Sequence, residues 1–375
     1  MLMRVIEEKF SGFLIIASVL FMFASFGFAE SGIYDRIGII PEHGFHGAVP
    51  EENIDLFTGN LTLRFLDIYL PGPNGLDLKI WRIYNSKILR DRLACYPWVV
   101  QQEPYSWVGL GWIMHMGRAH NFSSEMPTIE FPDGRWETAY FKTDSSGYVT
   151  RDFLKYDRNT YKLYFKDGTV WTFGEVRTIT YTYGPEQVRV MTRIENPYGH
   201  YITILYHAGQ PTIDKITDSL GREVDFITTG TTYPKLDKIQ VKNAQGTTVD
   251  YDYMVGDFAV GDYYQLQQYD PPELAASTYE YLDGGNFQFE LTAVNTSFGG
   301  RMEYEYDSQT FYYQVYSLET RVLKEKNIRF SPTSPFKTWV YTYPSYLNAE
   351  TGTVSLDGPE FDSTVTYHAY TASTP

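Results

Sequence analysis

Apolar and polar residues alternate with period two over most of this chain, and the alternating runs are interrupted by short Gly-, Asn- and Asp-rich breaks. Period two places one set of side chains on one face of a strand, so the pattern predicts β-structure. Leu61 and Leu63 alternate with Thr62 and Arg64; Leu76, Leu78 and Ile80 alternate with Asp77, Lys79 and Trp81. Pro71-Gly72-Pro73-Asn74-Gly75 between them predicts a connected strand pair. Pro132-Asp133-Gly134 and Lys166-Asp167-Gly168 each divide two alternating runs, and Asp-Gly in that setting predicts a hairpin.

From about residue 188 the breaks become periodic. Asn196-Pro197-Tyr198-Gly199, Asp218-Ser219-Leu220-Gly221, Asn243-Ala244-Gln245-Gly246 and, less perfectly, Thr296-Ser297-Phe298-Gly299 share one pattern. Asn or Asp at the first position with Gly at the fourth suits a type I turn, because the short side chain bonds the backbone ahead. With the glycines aligned, Ile194, Ile216, Val241 and Val294 stand five residues before them. Ile202, Val224, Val249 and Met302 stand three after, and Ile204, Phe226, Tyr251 and Tyr304 five after. The second and third sets fall on one strand face, with Glu223, Asp225, Asp250, Glu303 and Glu305 facing water. Gly199, Gly221, Gly246 and Gly299 are 22, 25 and 53 residues apart, so the last interval spans about two periods. Repeats of this length imply an array whose units bury their faces only against neighbours. Residues 255–285 keep no register and read as a long insertion.

Composition supports β-structure. Of 375 residues 17% are aromatic, with 33 Tyr, and Gly and Pro number 30 and 19. A net charge of −15 argues against nucleic-acid and anionic-membrane partners, which attract basic surfaces. The single cysteine, Cys95, excludes an internal disulfide and a cysteine-based metal site, and its apolar neighbours suit an inert buried thiol. At the N-terminus Arg4 and Lys9 precede an uncharged apolar run from Ser11 to Ala29 that ends Gly27-Phe28-Ala29. This reads as an export signal cleaved after Ala29, and hence a secreted or cell-surface protein. The alternative is an uncleaved membrane anchor, because the run approaches the roughly 20 residues needed to span a bilayer.

Candidate chemistry is sparse. Glu42, His43 and His46 sit in a Gly-rich loop without a third ligand in view, and His115 and His120 flank Gly117 with no carboxylate close in sequence. There is no G-x-S-x-G, H-E-x-x-H, P-loop, dinucleotide or calcium-loop motif. No catalytic, cofactor or metal residue is therefore assigned. Trp81, Trp98, Trp107, Trp112, Trp136, Trp171 and Trp339 read as packing between strands, with stacking platforms for sugars as the alternative.

One ordered set of motifs carries a resemblance. Thr58-Gly59-Asn60 before an alternating run, the Pro-Gly-x-Asn-Gly-Leu stretch at 71–76, Arg82-x-Tyr84-Asn85-Ser86, and Gly109-x-Gly111-Trp112 resemble the N-terminal part of Rhs proteins. The runs that follow, such as 291–308, resemble their Tyr-Asp (YD) repeats. The resemblance covers most of residues 45–310 and implies a secreted or surface all-β protein. Its antiparallel hairpin repeats would form an open, curved or spiralling sheet, here an incomplete shell. Relatives include polymorphic toxins, insecticidal toxin-complex subunits and teneurin adhesion receptors. The implied organisation is a signal at 1–29, an Rhs-type segment at 30–125 and repeats at 126–375. The implied role is a non-enzymatic scaffold without cofactors. Its partners would be further repeats or a cargo polypeptide; the alternative is an adhesin that binds glycans or cell-surface proteins.

Overall fold

The structure, a computed structural model, describes residues 38–39, 45–46, 51–92, 96–100, 102–142, 147–182, 184–259, 263–282, 288–312, 317–343, 351–359 and 362–368. The expected export segment, Cys95, Glu42 and His43 lie outside the described residues, and of His46 and Trp98 only the backbone is described.

Two antiparallel sheets make up most of the molecule, as the alternation predicts. In the N-terminal sheet, Phe45–His46, Glu52–Asp55, Asn60–Leu70, Leu78–Asn85 and Trp112–Ile113 lie side by side in that order. The second sheet runs from Arg118–His120 to Ser363–His368, with successive strands paired except where Trp136–Thr138 runs on into Tyr140–Phe141. Its first part turns back on itself. Arg118–His120 pairs with Thr128–Glu130 on one side and with Arg189 and Val190 on the other, which joins the short strands of 118–164 to the long hairpin Val170–Tyr181/Gly184–Glu195. Beyond Tyr201 the sheet stays open. Among the described residues, Ser363–His368 pairs only with Thr351–Asp357 and leaves its outer edge free.

The four periodic breaks are turns of one construction. Asn196 Oδ1 accepts from the backbone N–H of Tyr198 and His200, Asp218 Oδ1 from those of Leu220 and Arg222, and Asn243 Oδ1 from those of Gln245 and Thr247. Thr296, with a shorter acceptor, receives only Gly300 N–H. Gly199, Gly221, Gly246 and Gly299 have φ between 77° and 85°, a region that glycine enters without steric cost.

Two expectations need correction. Residues 255–285 are not an insertion: Tyr264–Asp270 and Ser277–Tyr281 are ladder strands. Asp270-Pro271-Pro272-Glu273 occupies the place of a turn, with Glu273 at φ 65° where the pattern expects Gly. Glu273 lies 27 residues after Gly246 and 26 before Gly299, so the double interval holds one disguised copy. The second correction concerns Val249, which is 41% exposed, and Val241 and Tyr251, which are only half-buried. Residues 243–249 are all exposed, so this turn reaches past the buried face. The other copies keep the expected face: Ile204, Phe226, Met302 and Tyr304 are buried.

The arms of the sheet splay away from these turns. Next to the turns neighbouring arms share short ladders, such as 193–195 with 201–203 and 293–295 with 301–303. Further out, each strand pairs only within its own arm, and the five arms between Tyr201 and Arg329 each carry one register shift, at Leu205/Tyr206, Ile227/Thr228, Met254/Val255, Glu280/Tyr281 and Glu305/Tyr306. Bulges bend and twist a strand, which opens gaps between arms. Three gaps are bridged by the residue just after the shift. Tyr206 donates its hydroxyl to the Met191 carbonyl at 2.7 Å, Tyr281 to that of Leu266 at 2.8 Å, and Tyr306 to that of Leu291 at 3.0 Å. Each acceptor lies 15 residues upstream. This geometry gives Tyr206, Tyr281 and Tyr306 a structural role that phenylalanine could not fill.

Candidate functional site

The inner side of the arms is filled by the N-terminal segment. Its backbone enters the ladder: Trp107 O accepts from Leu236 N at 2.8 Å, Leu110 N donates to Tyr264 O at 2.7 Å, and Gly59 O accepts from Leu323 N at 2.9 Å. Where the bulge residue is Val255 rather than tyrosine, the adjoining arm takes its backbone partner from the Trp107 loop.

Side chains complete the seam in four buried polar clusters. In the first, the Arg82 guanidinium grips Asp67 with two bonds, at 2.8 and 3.0 Å, and donates to the Tyr279 hydroxyl at 2.7 Å. Tyr253 donates to Asp67 Oδ2 at 2.9 Å. The rings of Phe65, Trp112, Tyr269 and Tyr279 lie 4.8–5.2 Å from the guanidinium carbon. Burial opposes the Arg82 charge, but Asp67 outweighs it and holds the group protonated. In the second, Arg321 Nη1 bonds Glu290 Oε1 at 2.7 Å, and the Tyr84 hydroxyl accepts from Leu291 N and reaches Glu290 Oε2 at 3.4 Å. Burial pushes the Glu290 carboxyl up to about 7, against the pull of Arg321. Lys87 Nζ donates to the carbonyls of Thr58 and Arg321 and to Thr320 Oγ1. In the third, fully buried Lys326 and Glu52 meet at 2.6 Å, with Tyr304 donating to Glu52 at 3.3 Å. Burial lowers the Lys326 pKa and Glu52 resists it. The fourth gathers His115, Arg118, His120 and Glu130, all at most 4% exposed.

Three of these clusters join residues about 190 to 270 positions apart in sequence. A buried ion pair adds little net stability over an apolar pair, but removing one partner strands a charge at a cost of about 3–5 kcal/mol. The clusters therefore fix which part of the N-terminal segment faces which arm. Their carboxylates are occupied by Arg, Lys, His and Tyr donors. Among the described residues, no group of His, Cys, Asp and Glu is arranged to hold a metal ion.

The motif residues named from sequence collect on this seam. Ser86 Oγ accepts from Leu61 N and donates to Asn60 Oδ1, Thr58 Oγ1 accepts from Asn60 N, and Asn85 N donates to Gly111 O. Trp112 Nε1 donates to the Tyr281 hydroxyl at 2.7 Å. Gly59 and Gly109 have positive φ, and a Cβ on them would come within 2.5 Å of Val322 Cβ and 2.6 Å of Leu266 N. The periodic-turn residues Asn196, Asp218 and Asn243 and their glycines lie apart from it, at the far ends of the arms. Sequence reading missed Glu52, Asp67, Glu290, Arg321 and Lys326. One signal was available: Arg82 shares the inward phase of Leu78, Ile80 and Tyr84. Of the tryptophans, Trp107, Trp112 and Trp339 are buried, as packing residues would be. Of the exposed aromatics, Tyr198 and Phe298 stand at turn tips, while Tyr69, Tyr140, Phe141 and Tyr164 lie on strands.

Comparison with known proteins gives structural similarity only. No family profile and no curated protein matches the chain. It is similar to the TcdB2-TccC3 crystal structure, with TM-score 0.39, 11% identity, and coverage of 91% of this chain and 23% of that one. A second TcdB2-TccC3 structure, without the hypervariable C-terminal region, gives the same TM-score and identity with 22% of that chain covered. The N-terminal domain of effector protein SpvB from Salmonella typhimurium strain LT2 gives TM-score 0.21 and 11% identity, over 81% of this chain and 99% of that one. The chain thus spans less than a quarter of the first two.

Proposed function

We propose that this chain is a non-catalytic scaffold whose hairpin sheet holds polypeptide against its inner face, as part of a shell that encloses or presents another chain. The observation that carries this reading is the seam itself. The inner face of the arms already binds the N-terminal segment by inserted backbone groups and hydrogen-bonded ion pairs. The outer edge of Ser363–His368, unpaired among the described residues, supplies a place for further chain to add. It carries no Asp, Glu, Lys or Arg, and charge is the usual guard of an open edge. Export through the N-terminal apolar run belongs to the same proposal, and the mass of the mature N-terminus, starting at Glu30, tests it.

Sedimentation at several concentrations tests the edge. The protein should associate with rising concentration, and Thr364→Lys should suppress this. A concentration-independent monomer whose 363–368 amides exchange slowly would show that the sheet completes itself, and the scaffold reading would be lost.

A further inference from the structure

We propose that the closure of residues 118–195 is a pH-operated latch, held by opposite protonation states of His115 and His120 on a shared carboxylate and released when His115 Nδ1 takes a proton. Closure depends on a short contact: Arg118 and Ala119 pair with Val190 and Arg189, and Gly117 O accepts from Met191 N at 3.0 Å.

The geometry assigns the protons. His120 Nδ1 lies 2.7 Å from Glu186 Oε1 and its Nε2 lies 3.0 Å from Glu130 Oε2. Ionised carboxylates only accept, so both ring nitrogens donate and His120 is an imidazolium. The Trp136 ring packs against it at 4.6 Å. His115 is the reverse. Its Nδ1 accepts the Gly117 N–H at 3.0 Å, which requires an unprotonated nitrogen, and its Nε2 faces Glu130 Oε1 at 3.2 Å, off the hydrogen-bond line. A proton on Nδ1 would point at the Gly117 N–H. Gly117, whose carbonyl accepts from Met191, would lose the anchor on its own N–H.

The charged surroundings come from every packed element: Glu103 from the 102–110 loop, Arg118 beside the histidines, Glu130 from Thr128–Glu130 and Glu186 from Gly184–Glu195. Tyr181 and Tyr206 also face Arg118, and burial keeps both phenols neutral. Two cations, Arg118 and His120, thus face three carboxylates. Burial, with Arg118 adding to it, lowers the His115 pKa against Glu130. For His120 burial is overcome by Glu130 and Glu186, and its pKa is pushed up to about 9.

The signs follow. His115, depressed in the folded state, contributes stability that is present above its ordinary value of about 6.5 and is lost as pH falls below it. His120, raised, contributes stability that is fully present below about 6.5 and is lost as pH rises through about 9. The latch is tightest near neutrality and opens on either side.

Hydrogen exchange of the full chain from pH 5 to 9.5, corrected for intrinsic rates, tests this. Amides of 117–120 and 189–191 should exchange faster at pH 5 than at pH 7. Amides of 223–242 should not change. His115→Asn keeps an acceptor near Gly117 N–H without a titrating ring, and should abolish the acid release while leaving the alkaline one. Nitrogen chemical shifts of the wild-type histidines supply a second readout, with His115 neutral and His120 doubly protonated at pH 7. Flat corrected exchange, an unshifted acid release in His115→Asn, or reversed protonation states would each overturn the latch.

Discussion

Tyr281→Phe isolates the device that bridges the arms. The Tyr281 hydroxyl accepts from Trp112 Nε1 at 2.7 Å and donates to Leu266 O at 2.8 Å, linking the N-terminal segment and two arms through one oxygen. Phenylalanine keeps the ring and opens no cavity, so the substitution removes only these two bonds. Trp112 is fully buried, and its N–H would find no water in place of the lost acceptor. A buried polar group left unpaired costs about 1–3 kcal/mol, and two of them give a loss of about 3 kcal/mol. Tyr198→Phe is the control. Tyr198 is 71% exposed at a turn tip, and its loss should stay within about 0.5 kcal/mol of neutral. Urea unfolding followed by tryptophan fluorescence measures both, and exchange at Leu266 and 277–281 localises the effect. If the two variants lose the same stability, the hydroxyl bridges do not hold the arms together.

Two further substitutions test register and docking. Phe226 is buried against Trp107, so Phe226→Ala should cost roughly 3–5 kcal/mol, whereas Asp225→Ala loses one partly exposed ion pair with Lys215 and should cost about 0.5 kcal/mol or less. Equal costs in thermal or urea unfolding would mean that the inward face is misassigned. Gly59→Ala and Gly246→Ala share a left-handed strain of about 1–2 kcal/mol, but only at Gly59 does the new methyl meet a wall, at Val322. Gly59→Ala should therefore lose markedly more stability by the same assay, and parity between the two would remove Gly59 from the seam.

Much of the repeat was legible in the sequence because it rests on local chemistry. A short Asx or Thr acceptor, a left-handed glycine and period-two alternation mark the turns at 196, 218, 243 and 296 without reference to the rest of the chain. The copy at 270–273 escaped because Glu273 takes a backbone conformation normally left to glycine, and only the surrounding ladder reveals it. Val249 escaped because alternation fixes which face a residue shares, but not how far a turn projects beyond its neighbours. The seam was half legible. Motif residues such as Arg82, Tyr84 and Trp112 stood out in the N-terminal segment, while Glu290, Arg321 and Lys326 look like ordinary strand charges until the fold brings partners to them. The histidine cluster was hidden for the same reason: Glu130 belongs to a neighbouring strand, ten residues from His120.

The central claim is that the hairpin sheet holds the N-terminal segment as a non-covalent guest, and cutting the chain between them tests it directly. The 123–126 loop is exposed and joins Arg118–His120, the strand that follows the segment and opens the second sheet, to Thr128–Glu130, so it accepts an engineered protease site in the full chain. After complete cleavage the two fragments should co-elute as one species in native buffer and part only in denaturant, because the inserted backbone bonds and buried ion pairs remain. Fragments that separate on cleavage in native buffer would contradict the claim.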